Sequence, residues 1–399
     1  NVITKLSVGG AQETALRYCS LLDPLTWDTS LVAGPESSPE GDLFDEAARQ
    51  GVRVLTIPTL CRRARPLADF RAVVDLVRLF RRERPDVVHT HSSKAGLAGR
   101  LAARLAGVPV IVHTVHGWSF HDGMSRAGRR TMVTAERIAA RWTTTLVVVA
   151  ERDAEIGRAA GVGRPEQYAL VRSGIDTVAF RSAAATRAAA RQSLGIPEGV
   201  PVVGTVTRLC RQKDPATLLH AARSVVDARP DARLVVVGDG PLRAEVETLL
   251  DDLSLRPHVT MLGPRDDVAA LLAGFDAFVL SSRWEGLPRV VVEAMAVGVP
   301  VVSTNVGGVG EAIEDGVSGL LGPIGDPDAL AAAILRILDE PGLGDRLRRA
   351  AGANVDEFDL RVMTDRLDDL YTRLLGGRSR PRRRRMAAAV RTDTGHEAA

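Results

Sequence analysis

Twice along its 399 residues the chain passes through strand-length apolar runs alternating with helical patterns, and this alternation limits the possible folds more than any other feature. The first series has apolar runs at 2–6, 29–32, 52–57, 87–90, 110–114 and 145–149, separated by amphipathic stretches at 11–22, 43–50, 67–82, 95–106 and 126–141. The second has runs at 202–207, 233–237, 259–262, 277–280 and 301–303, with helical patterns at 215–227, 242–253, 288–297 and 329–338. Strands that alternate with helices build parallel sheets covered on both faces. Each series is long enough for its own core. The expected fold is α/β: two Rossmann-like parallel-sheet domains, 1–178 and 179–357, facing a cleft. Ligands of such sheets bind outside the carboxyl ends of the strands. The stretch 176–199, rich in Ala and Arg and without a core strand, reads as a linker with a short helix. A last helical pattern, within 358–377, aligns Leu360, Met363, Leu367, Leu370 and Leu374 on one face, and packing back on the first domain is one place for it.

Composition excludes several classes. Hydrophobic content of 45% and charged content of 25% are ordinary for a globular chain. No apolar run approaches the roughly 20 residues that cross a bilayer. The chain begins at Asn1 within what looks like the end of a strand, so the native start is expected upstream. Cys19, Cys61 and Cys210 are widely spaced and form no CxxC, which fits a reducing cytoplasm better than disulfides or structural zinc. Positive charge is concentrated in residues 378–399, with seven Arg and two acids, leaving 45 basic and 47 acidic residues elsewhere. This tail is expected to be disordered. It lacks interleaved aromatics to stack on bases, so no nucleic-acid partner is expected.

The richest local pattern is 281–298, SSRWEGLPRVVVEAMAVG. An apolar run ends at Ser281-Ser282, Pro288 suits the first turn of a helix, and Gly298 suits its end. Glu285 then sits in the loop at the strand's carboxyl end and Glu293 on the second helical turn. Between them, the N–H groups near Gly286 and Leu287 form a site for an anion. Two carboxylates beside a phosphate-sized site suit a phosphorylated sugar; a solvated amphipathic helix is the competing explanation. Gly9-Gly10 joins a strand to a helix and permits close approach of a ligand to backbone. Arg208 and Lys213 place two cations at a strand end, suited to a diphosphate. Gly238-Asp239-Gly240-Pro241 lacks the full spacing of a nicotinamide-binding loop. Five histidines, His89, His91, His113, His116 and His121, fall in one segment, but acidic ligand partners are missing apart from Asp122. Hydrogen-bonded core positions suit most of them, and His116, before Gly117, is the one expected to face the cleft. Asp326-Pro327-Asp328 reads as a helix cap, and no metal site is expected.

Together these residues resemble the GT-B retaining glycosyltransferases of family 4 (group 1), over nearly all of 1–376. Gly9-Gly10-Ala11-Gln12 matches the family's glycine loop, and 89–117 is similar to members that build cell-surface polysaccharides. Arg208 and Lys213 match the diphosphate-binding pair. Glu285 to Glu293, followed by AMAVGVPVVSTNVGG and Glu311, matches the family's paired-glutamate element. The resemblance implies that Arg208 and Lys213 hold the donor diphosphate, assisted by amides at Gly9, Gly10, Gly286 and Leu287. It also implies that Glu293 binds ribose, Glu285 the donor sugar, and His116 contacts sugar near the reacting centre. The implied reaction retains the donor's anomeric configuration and needs no cofactor or metal. The donor is expected to be a UDP-sugar, with GDP-mannose open, and the acceptor a glycan or polyprenyl-linked glycan. A lipid-linked acceptor would bring this cytoplasmic protein to the inner face of the membrane. The competing functions are a sugar-nucleotide epimerase and a non-catalytic nucleotide-sugar binder. Thr143-Thr144-Thr145 departs from the acid that family members often carry before the following strand.

Overall fold

In the computed structural model, residues 1–36, 41–63, 65–121 and 123–376 are described; Asp122 and the Arg-rich stretch 378–399 lie outside them. The first sheet contains β1 (Val2–Lys5), β2 (Ser30–Gly34), β3 (Arg53–Thr56), β4 (Val87–His91), β5 (Val110–Val115), β6 (Thr145–Val148) and β7 (Tyr168–Leu170). Its order is β3-β2-β1-β4-β5-β6-β7. The second contains β8 (Val202–Val206), β9 (Arg233–Val237), β10 (Val259–Gly263), β11 (Ala277–Leu280), β12 (Val301–Thr304) and β13 (Leu320–Gly322), ordered β10-β9-β8-β11-β12-β13. Every strand pairing within them is parallel.

The strands read as unbroken apolar runs because both faces are covered. In β9, Val235 and Val237 enter one core while Leu234 and Val236 enter the other. The three-residue strands β7 and β13 escape the sequence pattern because they are too short to carry a period. Thr144 replaces the expected acid before β6: its hydroxyl accepts from the Ile111 N–H (3.0 Å) and its N–H donates to the Ile111 carbonyl (2.7 Å). The same register is fixed by a neutral group.

The stretch expected to be a linker is instead folded onto the second domain. Helices Thr177–Ala183 and Arg187–Ser193 pack beside helices Arg289–Val297 and Val268–Ala273. Arg187 and Arg191 both pair with Asp276 (2.5 and 2.6 Å), whose carboxylate also accepts from the Val202 N–H at the start of β8 (2.8 Å). The arginines that gave the stretch a polar appearance are therefore its anchors. The chain crosses between domains twice, and the crossings run side by side. The Ile175 N–H donates to the Phe358 carbonyl (2.8 Å) and the Leu360 N–H to the Ile175 carbonyl (3.0 Å).

After the second crossing, helix Leu360–Leu374 returns to the first sheet. Met363, Leu367, Leu370 and Tyr371 are buried with Tyr18, Val110, Val112 and Val147. The Tyr371 hydroxyl lies 2.5 Å from His89 Nδ1, so a buried histidine of β4 receives this helix. On the opposite face, helix Pro66–Glu83 buries Ala72, Leu76, Leu79 and Phe80. Phe70 does not share that face, being 69% exposed beside Leu67 at 81%. Among the described residues no helix is long and apolar enough to cross a membrane. Leu367 is fully buried, so Leu367→Ala should destabilise the first domain by roughly 2–5 kcal/mol. Chemical denaturation should show this, with faster amide exchange across 360–374 than in wild type.

Candidate functional site

The second domain's polar residues collect at the carboxyl ends of β8 and β11. Beyond β8, the Thr207 N–H donates to the Val237 carbonyl (2.8 Å) and the Leu209 N–H to the Asp239 carbonyl (3.0 Å). A Cβ at Gly238 would lie 2.0 Å from the Thr207 carbonyl oxygen, and one at Gly240 would lie 2.4 Å from that of Leu209. These glycines serve close packing of the loop that carries Arg208 and Lys213. Arg208 is half-buried on it. Lys213 Nζ lies 2.6 Å from Glu285 Oε1, and the pair is largely enclosed, at 19% and 8% exposure. The Gln212 side-chain amide donates to the Trp284 carbonyl (2.9 Å), and the Arg283 N–H donates to the Gln212 carbonyl (2.8 Å). The Ser281 hydroxyl donates to the carbonyls of Lys213 (2.8 Å) and Asp214 (3.0 Å), locking the two loops together. Two groups that are 72 residues apart in sequence are thus one buried ion pair.

The first domain meets this pair through His116 and Gly117 at the end of β5. A Cβ at Gly286 would stand 3.0 Å from His116 O and Gly117 N, and one at Gly117 (φ 106°) would stand 3.2 Å from Gly286 N. Only glycine lets the two loops approach so closely. Burial pushes His116 down to about 4, so its ring is neutral at physiological pH. Its Nε2 lies 3.0 Å from His91 Nδ1, while His91 Nε2 lies 3.0 Å from the Asn1 side-chain oxygen. That oxygen can only accept, so a neutral His91 carries its proton on Nε2 and accepts at Nδ1. His116 must then donate from Nε2, leaving its Nδ1 as an acceptor for a hydroxyl. His89 lies 2.6 Å from the Thr114 hydroxyl and His113 2.9 Å from the Thr90 hydroxyl, as buried structural partners. No cluster of three metal-ligating side chains occurs among the described residues.

Glu293 points elsewhere. Helix Arg289–Val297 begins one residue after Pro288, which stands at its N-cap. Glu293 lies one turn on, and its carboxylate is 3.3 Å from the Arg289 guanidinium. Arg289 also reaches Glu13 on helix Gly10–Ser20 of the first domain, at 2.6 Å. Burial, the largest effect, raises Glu293; Arg289 opposes that rise and Glu13 adds to it. A Cβ at Gly10 would be 3.9 Å from the Arg289 side chain, so the glycine loop also borders this seam. Gly9 accepts from the Glu13 N–H (2.9 Å), and the Leu287 side chain enters the second domain's core. Asp326 accepts from the Ala329 N–H (2.9 Å), the helix cap expected of it.

Glu13, Arg289 and Asp153 did not emerge from sequence. Only the four-residue spacing of Arg289 and Glu293 signals a pair. Asp153 lines an open cleft of about 960 Å³ with Trp118, Arg152, Trp284, Asn305 and Gly307. His121 and Trp284 stack across the domains at its edge, ring centroids 4.1 Å apart. Glu311 joins the domains nearby, accepting from the N–H groups of Glu151 (3.0 Å) and Arg152 (2.9 Å) at the start of helix Glu151–Ala159. Arg172 pairs with the same carboxylate. Asp153 Oδ2 is buried without a hydrogen-bond partner among the described residues. Burial first, and the Glu311 charge second, push its carboxyl up to about 8. Its unfolded carboxyl ionises near its ordinary value, so this group withdraws stability as pH rises from about 4 to about 8. Asp153→Asn should therefore raise stability at neutral pH, on the order of a few kcal/mol, and leave it nearly unchanged below about pH 4. Melting temperatures measured across that range should diverge from wild type as pH rises.

Residues 9–174 match the glycosyl transferase 4-like domain and residues 186–354 match the glycosyl transferases group 1 family. An Escherichia coli UDP-Gal:alpha-D-GlcNAc-diphosphoundecaprenol alpha-1,3-galactosyltransferase is 32% identical over 91% of this chain and 94% of its own length. A 2-deoxystreptamine glucosyltransferase of Streptomyces kanamyceticus is 32% identical over 76% of this chain and 82% of its own. Among solved structures, Anabaena Alr3699/HepE in complex with UDP-glucose superposes with a TM-score of 0.80 at 22% identity, covering 93% of this chain and 98% of that one. Two parallel sheets joined by paired crossings, with the glutamate pair at the carboxyl ends of the second, agree with those matches. The chain belongs to the group 1 glycosyltransferases and has the GT-B fold.

Proposed function

We propose that the protein transfers a sugar from a UDP-sugar to a diphosphate-linked lipid glycan, with retention of the anomeric configuration and without a divalent metal. The observation that carries this reading is the enclosed Lys213–Glu285 pair, set against His116 and Gly117 of the other domain. A donor diphosphate competes for Lys213 and, with Arg208, gains two cations where negative charge grows as the sugar departs. Glu285, released from Lys213, accepts hydrogen bonds from donor-sugar hydroxyls, and His116 Nδ1 accepts another. The bond from the anomeric carbon to the diphosphate breaks with its electron pair going to UDP. The acceptor oxygen bonds to that carbon on the same face, and its proton passes to the departing phosphate oxygen. Glu293 serves the nucleotide ribose.

The acceptor is inferred from chemistry and relatives together. The Escherichia coli relative acts on a diphosphoundecaprenol-linked sugar. Arg129, Arg137, Arg152 and Arg283 line the cleft beside Trp284, giving it the charge to receive an anionic acceptor. Leu67 and Phe70 lie just beyond the loop that follows β3, and Arg62, Arg63, Arg65 and Arg71 around them are exposed. An apolar knob ringed by cations suits an anionic bilayer surface.

Arg208→Ala and Lys213→Ala should each lower turnover by about 10² to 10³ while remaining folded. Turnover with excess chelator tests metal independence, and proton NMR of early product reports the anomeric configuration. An inverted linkage, or activity lost to chelator and restored by manganese, would refute the mechanism. Conversion of the UDP-sugar with no acceptor present would indicate epimerase chemistry instead.

The membrane component has its own test. Leu67→Ser with Phe70→Ser should reduce sedimentation with phosphatidylglycerol-containing vesicles, while transfer to a detergent-free, short-chain acceptor persists. Equal sedimentation of variant and wild type would dismiss this surface.

A further inference from the structure

We infer that Arg289 is a positioning residue of the donor site: its guanidinium holds the Glu293 carboxylate at the seam and ties it to Glu13 of the opposite domain. The inference rests on the proposed donor, in which Glu293 accepts hydrogen bonds from the nucleotide ribose. Arg289 and Glu293 stand four residues apart on one helix, which puts them on the same face. One terminal nitrogen of Arg289 lies 2.6 Å from Glu13 Oε2 and the other 3.3 Å from Glu293 Oε1. The side chains are 19% exposed for Arg289, 13% for Glu293 and 32% for Glu13, so the contact to Glu293 is the more shielded of the two. Gly10 opens helix Gly10–Ser20 with no side chain where the arginine stem passes. A longer residue there would fill the path from one domain to the other.

One cation between two acids leaves the group net negative, and its members compete. The charges acting on Glu293 are Arg289 of its own helix and Glu13 of the facing one. Burial favours the protonated acid, Glu13 favours it further, and Arg289 opposes both. An ionised carboxylate accepts from ribose hydroxyls through either oxygen and more strongly than the protonated acid does. Nucleotide affinity should accordingly be present above the raised pKa of Glu293 and be lost as pH falls through it. Arg289 sets where that loss occurs, and Glu13 works against it.

The test is UDP binding to the full chain by calorimetry over a pH series. Arg289→Met should move the acid limb of affinity upward, so that its loss of UDP binding relative to wild type is largest at the acid end of the series and vanishes toward the alkaline end. Glu13→Gln should move the limb downward, because a repelling charge is removed and Arg289 is left to Glu293 alone. Glu293→Gln should abolish the limb and bind UDP weakly throughout. If Arg289→Met fails to fold, the downward shift expected of Glu13→Gln carries the comparison. Equal weakening at every pH, or limbs that stay put while wild type binds UDP, would assign Arg289 to packing and overturn the inference. Absence of UDP binding by wild type across the series would overturn the donor reading, and this one with it.

Discussion

The functional geometry depends on one backbone contact: the Glu285–Gly286 turn pressed against His116–Gly117. Four glycines make it possible. A side chain on Gly117 or Gly286 would strike the opposite loop, one on Gly307 would stand 2.1 Å from the Glu285 carbonyl, and one on Gly308 would meet Ala150 at 2.5 Å. The Gly308 N–H donates to the Gly286 carbonyl (2.6 Å), so the turn is held from behind as well. These glycines let the carboxyl ends of two separate sheets meet, and every candidate for chemistry is arranged around the meeting point. Lys213 and Glu285 lie on one side of it, and His116 lies across it.

Charge follows the same seam. Surface ion pairs contribute little to stability, whereas an enclosed pair is costly to break by removing one partner. Apart from Arg100 with Glu136, buried between two helices of the first domain, the pairs that matter here lie between loops or between domains: Lys213 with Glu285, Arg289 with Glu13, and Arg172 with Glu311. Glu311 also supplies the acceptor that the first turn of helix Glu151–Ala159 lacks. A helix of the first domain is capped by the second, so separating the domains would leave those N–H groups without a protein partner. Asp153, whose Oδ2 lacks a hydrogen-bond partner among the described residues, shows the opposite side of such crowding: burial first, and the nearby Glu311 second, push its carboxyl up to about 8.

The fold was legible because alternation of strand and helix patterns is local information. The same locality explains the misses. β7 and β13, at three residues each, are too short to show a period, and they exist because β6 and β12 offer open edges. Helices Thr177–Ala183 and Arg187–Ser193 looked like a linker because the partner of Arg187 and Arg191, Asp276, is more than eighty residues away. At the site, motif spacing marked Glu285, Glu293 and the Arg208–Lys213 loop. It could not show that Lys213 and Glu285 hold each other, or that Glu293 faces Arg289 and Glu13 rather than Glu285.

Those separate directions constrain where a donor can lie. The Gly117–Gly286 contact leaves no room for a sugar between the two backbones, so in the proposed reading the reacting carbon sits beside it, within reach of Glu285 and His116. In that reading Glu293, near Arg289 and Glu13, takes the far end of the donor, and the diphosphate lies between, near the glycine loop and the Arg208–Lys213 loop. Where the chain crosses between the domains, Ile175 is held by backbone hydrogen bonds to both Phe358 and Leu360. Glu13–Arg289 joins the domains through two side chains and no backbone, so it can part and re-form without unfolding either helix. The arginine that bridges the domains thus also stands beside the carboxylate proposed for the nucleotide, so in that reading occupancy of the donor site and closure of the seam act on the same group.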